Sequence, residues 1–363
     1  MPAWNELREE LAKWYYLAAL SVNRMKNQRR KVCATRLMNK VFASIALLFT
    51  AAVSGSGQTL ANDTTFKLAL PAHQGQLQWH ADGFKIVQSS AKPNGQEIGI
   101  RGRDESGKIT FLGFLFIVSG QTSLTGAKCR DGVVEPLKRS NPSLKILAAS
   151  EIATSNGPPV ELVTYTAQGR DGKSLYSMRG FVATGDICGD LELYSETPIN
   201  PEDSDLKKIF QSYHFDPGYT PQFNDVFLYG QILYRDQMYK AAAPIFEQSL
   251  TKLKDDKSQQ TMRRVATDQA GMAYGISGDA SKARSLFESA IARDPDYPMY
   301  YYNLACADAQ EKKLADARTH LQQAFARKAN TIPGEALPDP TKDDSFLPYR
   351  NDKDFWTFLE SLH

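Results

Sequence analysis

The stretch Gly271-Met-Ala-Tyr-Gly-Ile-Ser-Gly-Asp-Ala-Ser-Lys-Ala-Arg-Ser-Leu-Phe-Glu-Ser-Ala-Ile-Ala-Arg-Asp-Pro295 carries the pattern that organises the chain. Within it Gly271, Tyr274, Gly278, Ala283, Phe287, Ala290 and Pro295 follow one another at intervals of 3, 4, 5, 4, 3 and 5 residues. Intervals of three and four place residues on one face of a helix, while glycine and proline punctuate the chain between helices. The pattern recurs. A shift of 34 residues forward lands on Ala305, Ala317, Leu321 and Ala324; a shift of 41 back lands on Gly230, Leu233, Ala242, Phe246 and Ser249. The extra residues fit within Leu253–Gln260, a charged stretch suited to a lengthened turn or helix end. A fixed period of small and large apolar positions predicts stacked helical hairpins. Small residues let paired helices approach, and Phe246, Phe287 and Leu321 fill the space between neighbouring hairpins.

These residues resemble the tetratricopeptide repeat, with repeats at 223–256, 264–297 and 298–331. Departures from the family pattern are specific. Val226 and Thr267 stand where an aromatic ring is usual, and Tyr301 restores it in the third repeat. Asp308 occupies the position of Tyr274, and Ala329 that of Pro295. A carboxylate at a packed position needs a partner or water. Such stacks need capped ends, and residues 332–363 supply a Pro/Gly-rich link and a helix with Phe355, Trp356, Leu359 and Leu362 in one apolar stripe.

The resemblance implies binding of a protein or peptide partner along the concave face, lined by the first helix of each hairpin. Carried over by position, the lining is Phe227, Gln231, Tyr234 and Arg235, then Asp268, Gln269 and Met272, then Tyr302, Asn303 and Cys306. Ala309 offers only space there. Amides would bond an extended backbone and rings would grip its side chains. Arg235 is the one cation of this set, so a terminal carboxylate is not the expected ligand. Two states of the groove stand open: free for a partner, or filled by the preceding domain or the cap. The short linker 218–222 keeps the preceding domain near.

Residues 62–217 read as strands divided by turns. Strands are expected at Phe84–Ser90, Gln96–Arg101, Ile109–Val118, Leu144–Ala149, Val160–Gln168, Leu175–Thr184 and Cys188–Tyr194. Ile109–Val118 is apolar nearly throughout, as in a strand covered on both faces. Helical spacing appears weakly at 123–139 and clearly at 201–213, where Ser204 or Asp205 can cap and Leu206, Ile209, Phe210 and Tyr213 form a stripe. The class is an α+β domain, an antiparallel sheet covered by helices, followed by an all-α superhelix of three repeats with a C-terminal capping helix. The element order of the first half is similar to the PsbP-like domain, which implies an extracytoplasmic setting and assigns no residue a role.

Catalytic and cofactor motifs are missing from the sequence, so no catalytic residue, metal or cofactor is expected. Asp186, Asp190 and Glu192 share one strand face and could hold a hard cation, though a solvated face explains them as well. His80 beside Trp79 could be half of an acid/base pair, though a surface histidine explains it as well. Cys129 and Cys188 are the expected disulfide, with Cys306 a small buried thiol. Strand parity weighs against that pairing, since Cys188 faces with the two carboxylates unless Gly189 hosts a bulge.

The net charge of +2 conceals an asymmetry: residues 1–61 carry nine Lys/Arg against three Asp/Glu, and the rest is mildly acidic. A nucleic-acid partner is therefore not expected. Within 1–61, residues 41–53 are apolar, too short to span a bilayer, preceded by basic residues and followed by small ones. That is a signal-peptide pattern, with cleavage expected between Gly55 and Ala61 and no membrane contact beyond the leader. Residues 1–37 are either an over-extended start or a short amphipathic helix at 5–20. The expected protein is an exported, non-enzymatic scaffold binding through its repeats. The alternative is an extracytoplasmic enzyme or ligand-binding protein whose α+β domain is the active part. Oligomeric state is not legible.

Overall fold

The computed structural model describes residues 64–169 and 171–362; the leader, with its apolar segment 41–53, lies outside them. Contacts divide the described residues into two compact units, one ending at Leu233 and the other beginning at Tyr234.

The first unit is built on a seven-stranded antiparallel sheet. Its strands are β3 (Phe84–Ala91), β4 (Glu97–Asp104), β5 (Thr110–Ile117), β6 (Lys145–Ile152), β7 (Val160–Gln168), β8 (Ser174–Thr184) and β9 (Ile187–Ser195), in the order β3-β4-β5-β9-β8-β7-β6. The apolar β5 lies inside the sheet, as its composition requires. A second, three-stranded sheet joins β1 (Thr65–Leu68), β2 (Gln76–His80) and β10 (His214–Asp216). These strands were not expected from the sequence. They place Trp79 against Phe111 at 5.5 Å between ring centroids, in the space that Gly113 leaves open: a Cβ there would lie 2.4 Å from the indole. Helix α1 (Gly126–Ser140) covers a core of Phe116, Val163, Phe181 and Cys188 with Cys129, Val133 and Val134. Helix α2 (Ser204–Ser212) buries Leu206, Ile209 and Phe210, and its cap is Asp203, which accepts from the Asp205 and Leu206 amides. Asp203 thus replaces the expected Ser204 or Asp205, because its carboxylate precedes the first free amides.

Helices then run in pairs. They are α3 (Phe223–Arg235) and α4 (Tyr239–Leu250), α5 (Gln260–Ile276) and α6 (Ala280–Arg293), and α7 (Pro298–Gln310) and α8 (Leu314–Ala326), closed by α9 (Lys353–Glu360). The turn inside each pair has one residue of positive φ: Gln237 at 62°, Gly278 at 93° and Lys312 at 62°. These positions are separated by the same 41 and 34 residues as the side-chain pattern, so backbone and sequence share one register. Only the second turn uses glycine, the residue that tolerates this conformation freely. The packing between paired helices matches the same register. A Cβ on Gly271 would lie 2.1 Å from the Phe287 ring. Ala305 and Leu321, the corresponding pair one repeat on, are both fully buried, the smaller apolar residue sitting where the helix carries a methyl. The insertion forms a 3-10 turn at Lys257–Gln259 and an early start of α5 at Gln260.

Candidate functional site

Two buried polar clusters stand out, one in each unit. The first lies on the α1 side of the large sheet. Arg179 donates to Asp190 through Nε at 2.8 Å and a terminal nitrogen at 2.6 Å, and approaches Glu192 at 3.4 Å. Tyr165 donates to Glu192 at 2.6 Å. Burial pushes the Asp190 carboxyl up, and the Arg179 guanidinium opposes the shift. The face is therefore neither solvated nor a cation site: the carboxylates are buried and bound to an equally buried arginine on the adjacent strand. β9 pairs without a register shift, so Gly189 hosts no bulge and Cys188 does face with Asp190 and Glu192. That whole face is interior, which removes the parity objection; the Cys129 and Cys188 sulfurs are bonded, with Cα atoms 5.8 Å apart. Asp186 sits half-buried in the preceding turn, and His80 is paired with exposed Asp82 at 3.2 Å.

The second cluster lines the first-helix face of the second and third hairpins. Asp268 on α5 is buried and accepts from the Asn303 amide on α7. Burial, with the nearby charge of Glu335, pushes its carboxyl up to about 8 against the Asn303 hydrogen bond. Tyr302 is buried and donates to Asp343 at 3.1 Å; its ring lies edge-on to Phe346 at 6.2 Å. Cys306 is half-buried, not buried as expected, and its Sγ lies 4.0 Å from the same Asp343 oxygen. Tyr297 donates to Glu335 at 2.8 Å, and Glu335 also accepts from the Ile332 amide. Burial raises the Glu335 carboxyl and the Tyr302 phenol alike. Tyr349 donates to the carbonyl of Ala309, taking the space expected to be empty.

Glu335, Asp343, Phe346 and Tyr349 all belong to the stretch between Ala326 and Lys353, in which only three-residue 3-10 turns interrupt an irregular chain. An open groove was one of the two states left standing by the sequence. Along the first helix of the third hairpin neither the preceding domain nor the cap helix but the link between α8 and α9 supplies the contacts: it meets Tyr297, Tyr302, Cys306 and Ala309. The cap helix then packs Phe355 and Leu359 into the core of the third hairpin. The remaining expected lining residues fall elsewhere. Phe227 is buried and stacked on Phe223 at 5.2 Å, and Gln231 is half-buried; both lie in the first unit, where their helix is tied down by Tyr229 donating to the Lys92 and Glu97 carbonyls. Arg235 is exposed and paired with Asp236. Tyr234 is buried against Tyr239 and Phe246, with its hydroxyl lacking a hydrogen-bond partner, as does the amide oxygen of half-buried Gln269. Met272 is half-buried. Sequence reasoning missed Glu335, Asp343 and Arg179. The signal for the first two was the length of the link, since a structureless stretch beyond about 12–15 residues in a compact domain needs a function or a surface to lie on.

The carboxylate at the ring position of the third repeat has the partners it requires. Asp308 is buried, accepts from Arg284 and from His320 at 2.6 Å, and is held below the usual carboxylate range by those two against the effect of burial.

No protein-family model matches the chain, and no curated protein matches it. Solved structures do. The chain is similar to PcrH from Pseudomonas aeruginosa at 15% identity over 39% of this chain and 90% of that one, TM-score 0.28. It is similar to the Sgt2 TPR domain from Aspergillus fumigatus at 18% identity over 39% and 81%, TM-score 0.29. Cyanobacterial PsbP from Synechocystis aligns at 11% identity over 45% and 98%, TM-score 0.31. The structural neighbours are mostly tetratricopeptide-repeat proteins, with one PsbP-like protein among them.

Proposed function

We propose that this protein is an exported, non-enzymatic interaction protein that binds a polypeptide through the first-helix face of its hairpins. One observation carries the reading: an irregular segment lies against that face, with Tyr297 donating to Glu335 and Tyr302 to Asp343. A groove that accommodates an irregular chain by side-chain hydrogen bonds has the chemistry of peptide recognition. The proposed partner contacts are Tyr234, Asp268, Gln269, Met272, Tyr302, Asn303 and Cys306; of these, Tyr302 and Cys306 meet the C-terminal segment. Export rests on the signal-peptide pattern of the leader. The alternative, an active α+β domain, is weakened at Asp190 and Glu192, which Arg179 binds.

A photo-crosslinking side chain at Gln269 or Met272 of the full-length protein, expressed in its native compartment, tests the binding reading. Crosslinks to a defined polypeptide are expected, and crosslinks only to the chain's own tail count against it. Sequencing of the mature N-terminus tests export; a start at Met1 or Met38 contradicts it.

A further inference from the structure

The sheet domain carries a charged surface of its own, apart from the hairpin groove. Residues opposed across a ladder share a face, so Arg103 on β4 stands with Lys85 on β3 and Thr110 on β5, and Arg101 stands with Gln88 and Leu112. The same rows continue to Tyr194 and Glu192 on β9. Arg101 and Arg103 therefore lie on the face that bears Arg179, but outside the core that α1 covers. Lys85 and Arg103 are exposed, and Arg101, Leu112 and Tyr194 are half-buried.

Stability of the sheet does not account for this grouping. Lys85 sits directly opposite Arg103, and Arg101 follows two residues away; like charges so placed repel and weaken a ladder. The one carboxylate paired with these cations is Glu105, 3.7 Å from Lys85, where the side chains are 80% and 71% exposed. A pair so open to solvent contributes little. The Arg101 and Arg103 side chains have no hydrogen-bonded or ionic partner among the described residues, and the Arg101 Nε is buried without an acceptor. Arg179, on the same face, has Asp190 and Glu192 to meet that need. A partly desolvated guanidinium without an acceptor costs free energy, and a carboxylate brought to it makes a charge-assisted bond stronger than a neutral one.

We propose that the face formed by β3, β4 and β5 binds an extended acidic polypeptide segment, with carboxylates at alternate residues meeting Arg101 and Arg103. Alternate residues of an extended chain are about 7 Å apart, the spacing that β4 gives its two arginines. Leu112 and Tyr194 supply apolar area beside them. A nucleic acid is the poorer match, because the chain beyond the leader is mildly acidic and offers no long-range attraction to a polyanion, whereas a short acidic segment needs only local cations.

The test uses the full-length chain and two fluorescein-labelled peptides followed by fluorescence anisotropy, one alternating glutamate with threonine and one alternating glutamine with threonine. The acidic peptide is expected to bind about tenfold or more tightly than its glutamine counterpart. Arg101→Gln combined with Arg103→Gln is expected to weaken it about tenfold, and Arg103→Gln alone, at an exposed position, about threefold. Comparison of wild type with these variants separates the patch from the basic leader. The double variant removes a like-charge repulsion, so its melting temperature is expected not to fall. A fall of several degrees would assign the arginines to the fold and overturn the proposal. Equal affinity for the two peptides also overturns it, as does acidic-peptide binding that neither variant weakens. A single-stranded DNA probe that binds wild type more tightly than the acidic peptide, and loses that affinity in the double variant, rules out a polypeptide as the occupant. The hairpin groove is tested separately by the Gln269 crosslink.

Discussion

The two buried acid clusters solve the same problem in opposite ways. In the sheet domain, Asp190 and Glu192 are met by Arg179, whose fork is held by β8 in register with β9. In the helical stack, Asp268 is met by the neutral Asn303 amide and faces the like charge of Glu335. A buried charge paired on a rigid sheet is a permanent part of the fold, since removing either partner strands the other. A buried acid that avoids charge by keeping its proton can be switched by pH or by replacing what covers it. The difference separates acids met by an arginine from an acid met only by a neutral amide.

The comparison breaks first, and hardest, at Arg179. Arg179→Met leaves two carboxylates buried without their cation and is expected to cost about 3–5 kcal/mol, measured by urea unfolding of the full-length chain. A loss below about 1 kcal/mol would mean that solvent reaches the cluster. Next in size, Cys129→Ala with Cys188→Ala removes the bond between α1 and β9 and is expected to cost about 2–4 kcal/mol by the same measurement.

Asp268 sharpens the comparison from the other side. Its unfolded-state carboxyl ionises near pH 4, and in the folded groove the proton is held up to about 8. Between those values the folded state keeps a proton that the unfolded state has lost, so groove stability is fully present at low pH and declines as pH rises from about 4 to about 8. Asp268→Asn is expected to flatten that dependence and to exceed wild type at pH 8 by on the order of 1–3 kcal/mol, read from melting curves across the pH range.

The smallest effects lie in the hairpin turns. Lys312→Gly relieves a left-handed φ and is expected to stabilise by about 0.5–1 kcal/mol, whereas Gly278→Ala should destabilise by about 1 kcal/mol. Equal responses at the two sites would show that the turns are not equivalent.

Much of the helical half is legible because its rules are local. Gly271 faces Phe287 sixteen positions on, within one hairpin, so a residue pattern suffices to report it. Asp308 was readable as an anomaly, but its partners Arg284 and His320 come from two different helices. In the sheet domain the long strands announced themselves by composition. The three-residue β10 and its pairing with β2 did not, because a strand that short has no periodicity to read and exists only by virtue of its neighbour. The face bearing Asp190 and Glu192 looked solvated for a related reason. Alternation tells which residues share a face, and Arg179 on the next strand decides that the face is interior.

The amino-acid sequence on its own determined the repeat period, the hairpin turns, the place of the insertion and the main strands, since each depends on side-chain size and backbone freedom within a few turns of chain. Tertiary structure alone decided what lies in the groove. Tyr297 meets Glu335 across 38 residues and Tyr302 meets Asp343 across 41, and an irregular segment has no pattern of its own that says which surface it will cover. Its place is set by hydrogen bonds that exist only after the hairpins have stacked.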